Sequence, residues 1–299
     1  MLLALAAPLP AVDMLYVTLH NTIVSYDTSS GNAATIAASV ATFASTNLIS
    51  PQGLAFDSSG NLYAANFNST ISKFDSSGTY VSSGSISTNL VNPTGLAFDS
   101  SGNLYAGNSS SSTISKFNSS GAYVSSISGN LNGTYGLAFD SSGNLYAANA
   151  GNSTISKFDS SGAYVSSGSI PSTNLNDPIG LALDSSGNLY AANNGNSTIS
   201  KFNSSGAYVS SISGNLNGTY GLAFDTSGNL YAANNGNNTI SKFNSSGTFL
   251  TSWSTGLASP PRFLAFKPVT VPEPSTYALA AIATSVMAYL ARRRKARKG

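Results

Sequence analysis

Of 299 residues only 8% are charged, against about 25% in an ordinary soluble domain, yet 41% are hydrophobic with 15 Tyr and 14 Phe. That is enough for a real core and excludes general disorder, while zero cysteines and one histidine exclude a disulfide framework, a cysteine nucleophile, a thiolate metal site and a multi-imidazole zinc centre. The formal charge of +2 hides two unlike parts: six of thirteen Lys/Arg stand in the last eight positions, and seven Lys/Arg against ten Asp leave residues 1–271 at −3, which argues against a nucleic-acid-binding surface there.

At the head, residues 1–13 read as a residual signal-like leader. Its first twelve residues are apolar with Ala and Pro, like the later part of a secretory signal without its positive n-region; a disordered leader is the alternative. From 14 to 268 the chain repeats itself. The phrase Gly-Leu-Ala-Phe-Asp-Ser-Ser-Gly-Asn-Leu-Tyr begins at Gly53, Gly95 and Gly136, with near copies at Gly180 and Gly221 and a degenerate Phe-Leu-Ala-Phe at Phe263. Its leucines fall at 54, 96, 137, 181, 222 and 264. A period of about 42 residues is that of a four-stranded propeller blade and is too long for leucine-rich or β-helix coils.

Short segments rich in Tyr, Phe, Ile, Val and Thr, punctuated by Ser-Ser-Gly and Gly-Asn, favour strands and turns over helices. One repeat reads as four strands, 53–56, 61–65, 70–74 and 80–83. Asp57-Ser58-Ser59-Gly60 and Asp75-Ser76-Ser77-Gly78 are the turns, in which Asp bonds backbone amides and Gly supplies positive φ. Gly53 and Ala55 are expected where backbones crowd near an axis, and Leu62, Ile71 and Phe74 between neighbouring blades.

The repeat is split at its ends. Leu15-Tyr16 matches Leu62-Tyr63 and Thr22–Asp27 matches 70–75 without a first strand before them, whereas Leu264-Ala265-Phe266 is a first strand without a second after it. Together they make one more blade, giving six copies of each strand and no open sheet edge at the join. The expected fold is all-β: a six-bladed β-propeller with blade closure shared between N- and C-terminal strands, plus a C-terminal transmembrane helix. The Leu-x-x-Asp-x-x-Gly-Asn-Leu-Tyr stretch of 54–63 resembles the NHL-repeat six-bladed propeller family, over residues 14–268. That fold hosts binding modules, lactonases and lyases alike. Where the family usually has Asp after the second strand, this chain has Asn66, Asn108, Asn149, Asn193 and Asn234, which removes five carboxylates from any cation site. Residues 115–149 and 200–234 differ only at Ser141 and Thr226, as a duplication of two blades would leave them.

Residues 269–276 read as a linker holding Pro272-Glu273-Pro274, and 277–299 as a transmembrane helix and basic cytoplasmic tail. The uncharged run 277–291 spans roughly 22 Å, short for a bilayer core but extended by Ser275, Thr276 and a snorkelling Arg292. Arg292, Arg293, Arg294 and Lys295 orient it with the propeller outside the cytoplasm. A soluble amphipathic helix with a solvated basic tail is the alternative, opposed by the all-round apolarity of the run. The three parts in this order resemble the PEP-CTERM sorting signal of exopolysaccharide-producing Gram-negative bacteria. The resemblance implies that an exosortase-type enzyme reads Pro272, Glu273 and Pro274. It also implies that the helix holds the protein in the inner membrane until processing, and that the destination is the cell surface or extracellular matrix.

Propellers usually bind through one face, built from the loops entering each first strand and those joining second to third strands. The entering loops here hold Gln52, Thr94, Tyr135, Ile179, Tyr220 and Arg262; the others are Asn-rich. Neutral amides, hydroxyls and Tyr faces suit the hydroxyls and C–H faces of sugars. Alternatively, Asn and Gly only supply left-handed turns, and Tyr135 and Tyr220 cap blade edges. His20, Asp177 and Arg262 break the repeat. His20 and Arg262 fall in the closing blade and are expected to be neighbours able to hold a uronate or phosphate, with Asp177 on the same face; solvated loop charges are the other reading.

Enzyme readings lack their residues: a lyase would need several His or Glu around a metal, a lactonase-like Ca²⁺ site inward acids, and a Ser nucleophile a base. No catalytic residue, metal or cofactor is therefore assigned. The expected function is an exported binding or scaffold protein for polysaccharide or a surface protein; a degenerate lactonase- or lyase-like enzyme and a passive matrix spacer are the alternatives. Convergence of His20, Asp177 and Arg262 within hydrogen-bond reach would favour chemistry, and dispersion would favour binding.

Overall fold

A computed structural model describes residues 13–256 and 259–268. The leader before Asp13, the Pro272-Glu273-Pro274 linker and the transmembrane helix expected in 277–299 lie outside the described residues. Among the described residues no helix is long and apolar enough to cross a membrane.

The strands pair into six antiparallel sheets, one per repeat, which makes the molecule a six-bladed β-propeller. Blade 1 is the split one, ordered Leu264–Phe266, Met14–Leu19, Thr22–Asp27, Ala41–Ala44. Blades 2 to 6 begin with the innermost strands Pro51–Phe56, Pro93–Phe98, Thr134–Phe139, Pro178–Leu183 and Thr219–Phe224. These start two residues earlier than the repeat pattern suggests. In blade 2, Pro51 pairs with Asn66 and Leu54 with Ala64, so a bulge takes up Gln52-Gly53 and turns the chain toward the axis.

The axial glycines follow from that crowding. A Cβ on Gly53, Gly95, Gly136 or Gly180 would overlap the carbonyl oxygen of Thr94, Tyr135, Ile179 or Tyr220 on the next innermost strand. Farther out, apolar clusters join blade to blade. Leu62 and Phe74 pack with Tyr16, Ile23 and Leu54 between blades 1 and 2, whereas Ile71 packs with Leu96 and Phe117 between blades 2 and 3.

The seam closes as the split repeat requires, with Leu15, Tyr16 and Val17 paired to Phe266, Ala265 and Leu264. Thr18 reinforces it: its hydroxyl accepts from Phe263 N at 2.9 Å and donates to Gln52 O at 2.9 Å. Asp13, placed in the leader by the sequence, belongs to this seam. Its carbonyl accepts from Thr28 Oγ1 at 2.7 Å and its carboxylate from Thr226 Oγ1 at 2.8 Å. Thr226 is the one position where 200–234 departs from 115–149, so the only divergence between the two copies falls on the seam.

Two expectations need correction. No continuous fourth strand forms at 80–83; blade 2 keeps only the bridges Phe74–Tyr80 and Ile71–Ile86, and blade 4 the equivalent Phe158–Tyr164 and Ile155–Ile170. Between the bridging Tyr and Ile these blades carry two more residues than blade 3, where Tyr123–Ser128 is a regular strand. The surplus turns outward, and Ser85 Oγ substitutes for the missing strand by accepting from Lys73 N at 3.1 Å. In blade 1, a helix absent from the sequence reading, Ala33–Ala38, precedes the outer strand. Asn32 caps it, accepting from Ala34 N at 2.9 Å, and Ile36 buries against the seam cluster with Trp253.

Candidate functional site

The end of the ring that carries the entering loops is held by a buried polar unit repeated in blades 2 to 6. Each second strand ends in a buried Asn: Asn66, Asn108, Asn149, Asn193 and Asn234. In blade 5, Asn193 Oδ1 accepts from Asn176 N at 3.1 Å, while Nδ2 donates to Thr198 Oγ1 at 3.1 Å and Ser200 Oγ at 2.9 Å. The Ser200 proton is already committed to Asn174 O at 2.6 Å. An Asp here would still accept from the entering loop but would face the lone pairs of Ser200 without a donor. The departure from the family pattern is therefore a matter of scaffolding: these amides tie each entering loop to its blade. Asn193→Asp is expected to lose about 2–3 kcal/mol at pH 7, a loss that shrinks as the pH falls through the raised pKa of the buried carboxyl toward about pH 4, the value in the unfolded chain. Urea unfolding at both pH values checks this, and unchanged stability at pH 7 would contradict it.

The residue before each axial glycine position forms a ring around the channel mouth: Gln52, Thr94, Tyr135, Ile179, Tyr220 and Arg262. Two of them turn to backbone, Thr94 Oγ1 donating to Thr134 O at 2.8 Å and Gln52 Nε2 to Ser50 O at 3.0 Å. Tyr135, Ile179 and Tyr220 line a depression of about 380 Å³ together with Ser109, Ser110 and Asp177. Burial pushes the Tyr135 hydroxyl above its ordinary pKa; Tyr220 and Asp177 add to the rise and Arg262 opposes it, so Tyr135 lies within reach of all three. Burial also raises the Asp177 carboxyl.

Asp177 sits in the left-handed backbone region with φ 52°, as do Ser50, Asn92, Gly133 and Gly218 at equivalent places. Its N–H donates to Ser153 Oγ at 3.0 Å and its carbonyl accepts from Asn194 N at 3.0 Å, which leaves the side chain to the depression.

Arg262 and Asn21, the residue after His20, both hydrogen-bond to Ser50, while His20 and Arg262 make no hydrogen bond to each other. Arg262 Nη1 donates to Ser50 Oγ at 3.3 Å, and Asn21 Oδ1 accepts from Ser50 N at 3.0 Å. His20 is exposed in the turn after Leu19. Among the described residues no hydrogen bond links His20, Asp177 and Arg262, and no group of three or more His, Cys, Asp or Glu is placed to hold a metal. The sequence places Ile179 in an entering loop and Ser109 and Ser110 in one of the other loops of this face, but singles out none of the three as a site residue. The only signal for the serines was the loop 108–112, where Ser replaces the Gly-Asn pair of blades 4 to 6.

Larger or comparable hollows of about 560 and 350 Å³ lie beside the turned-out segments of blades 2 and 4, lined by Tyr80 and Tyr164 with Ser and Asn. They are copies of one another made by the same two-residue surplus. The mouth of the channel, by contrast, gathers residues that break the repeat.

The NHL repeat model matches residues 175–202, and the PEP-CTERM protein-sorting motif matches residues 270–295. No curated protein matches the sequence. Among solved structures, a chain of a nidogen/laminin complex is similar with TM-score 0.73 at 17% identity, over 86% of this chain and 98% of that one. Virginiamycin B lyase from Staphylococcus aureus gives TM-score 0.62 at 13% identity, covering 81% and 80%. A protein of unknown function from Bacteroides caccae gives 0.65 at 12%, covering 87% and 100%. At these identities the likeness is one of fold.

Proposed function

We propose that this six-bladed propeller, bearing an NHL repeat and a PEP-CTERM sorting motif, is an exported surface or matrix protein that binds polysaccharide at the mouth of its channel. The observation that carries this reading is the meeting of Tyr135 and Tyr220, from blades 4 and 6, over one hydroxyl-lined depression. Two aromatic faces beside Ser109 and Ser110 supply C–H stacking and uncharged hydrogen bonding, the two things a sugar ring needs. The sorting motif supplies the location. An exosortase-type enzyme reading Pro272-Glu273-Pro274, with Arg292, Arg293, Arg294 and Lys295 on the cytoplasmic side of the inner membrane, delivers the propeller to where polysaccharide is.

Binding is preferred to catalysis because, among the described residues, the repeat-breaking His20, Asp177 and Arg262 make no mutual hydrogen bonds of the kind a catalytic group would be expected to share. The near identity of 115–149 and 200–234 favours a second reading, that of a matrix spacer. Calorimetric titration of the full chain with oligosaccharides separates the two. Tyr135→Ala with Tyr220→Ala is expected to weaken binding roughly 10- to 100-fold at unchanged melting temperature. Undiminished affinity in that double variant would sink the site.

A further inference from the structure

Resting on that reading, we propose that the bound saccharide carries a free protonated amine, held by the Asp177 carboxylate between the faces of Tyr135 and Tyr220. The argument is one of unmatched charge. Of the ten aspartates among the described residues, nine have side-chain partners. Asp27, Asp57, Asp75 and Asp159 bond within their own turns. Asp99, Asp140, Asp184 and Asp225 add a lysine at 3.5 to 4.0 Å to such bonds, and Asp13 holds Thr226. The Asp177 carboxylate alone accepts no hydrogen bond and meets no cation among the described residues, and it lines the depression.

The blade lysines and Arg262 are engaged elsewhere. The five blade lysines lie 5.0 to 5.2 Å from the ring centres of their own tyrosines, and Arg262 is turned to Ser50. A partly buried carboxylate without a partner is costly, and its burial-raised proton affinity is the sign of that cost. An ammonium answers it with charge and three donors, and two tyrosine faces favour a cation further. A uronate would meet Asp177 in the depression rather than Arg262, which is not among the lining residues. N-acetylation would remove the charge and leave one N–H.

The test is calorimetric titration of the full chain at pH 6 and low salt with two probes, a glucosamine hexamer and an N-acetylglucosamine hexamer. The free-amine oligomer is expected to bind at least about tenfold tighter, and Asp177→Asn to erase the difference. Asn92 occupies the same left-handed position in blade 3, so the variant keeps its turn, and a melting curve verifies this. Equal affinities for the two probes, or a preference surviving Asp177→Asn, overturns the inference. If both bind equally and the double tyrosine variant weakens both, the ammonium fails while the saccharide site stands. If neither binds, or only a lysine-rich peptide does, both fail.

Discussion

Gly180→Ala is expected to destroy the ring. The added Cβ would overlap the carbonyl oxygen of Tyr220, a backbone atom of the next innermost strand. Overpacking against side chains costs about 1–3 kcal/mol because rotamers yield. Here no rotamer can yield: Tyr220 O is a backbone atom, and in a closed ring blade 6 can retreat from blade 5 only by crowding blade 1. The expected loss exceeds about 4 kcal/mol, at the exceptional end of single substitutions. Gly107→Ala is the matched control. Ala65, Ala148, Ala192 and Ala233 fill that place in other blades, and a Cβ there would stand 3.0 Å from Tyr135 O and 3.1 Å from Thr134 Cγ2. It is expected to fall within about 1 kcal/mol of the parent, on either side. Urea unfolding measures both; a Gly180→Ala protein melting within a degree or two of the parent would show that the axis has slack.

The sequence carried the architecture because the architecture is itself a repetition. Six leucines at one spacing and a phrase split between the ends fix blade number and closure with no knowledge of contacts. Features that depend on what lies opposite were not readable. The two extra residues before Ile86 and Ile170 become a turn only because Ser85 can satisfy Lys73 N from its side chain. Asn193 looked like a lost ligand until the committed proton of Ser200 showed why an amide is needed. The helix Ala33–Ala38 is too short to show a period, and it exists through the cap at Asn32 and the burial of Ile36 against Trp253. At the mouth, Tyr135, Tyr220 and Arg262 were found because one register position defines the ring. Asp177 was found because it breaks the pattern, and its isolation among aspartates emerges only when every other carboxylate has been paired. His20 shares the closing blade with Arg262 as expected, yet it is Asn21, not His20, that meets Ser50 beside Arg262.

The seam is where the closed ring is weakest, and Leu264→Asp is expected to open it. Leu264 pairs with Val17 and is 6% exposed, packed in a cluster with Leu15, Tyr26 and Trp253. Leu222, at the same register in blade 6 and 5% exposed, is the natural comparison. An aspartate at either site buries an unpaired carboxylate, costing several kcal/mol, roughly 3–5 by analogy with broken buried pairs. The consequences differ in kind. At Leu222 the innermost strand stays joined to its neighbour by the Asp225 to Asn229 turn, so the blade loosens but its pairing partners remain tethered. At Leu264 no tight turn ties the closing strand to its partner: three cross-strand pairs and the Thr18 bridges join it to Met14–Leu19, and the rest of its hold is packing against neighbouring blades. Its release uncovers the edge of Met14–Leu19, and an unpaired edge recruits further chains. Leu264→Asp should therefore melt lower than Leu222→Asp and form higher oligomers than the parent in sedimentation velocity, while Leu222→Asp keeps the parent's sedimentation coefficient. Equal melting temperatures with both variants sedimenting as the parent does would mean that closure adds no more than any single blade contact, and that the ring is held by its inter-blade clusters alone.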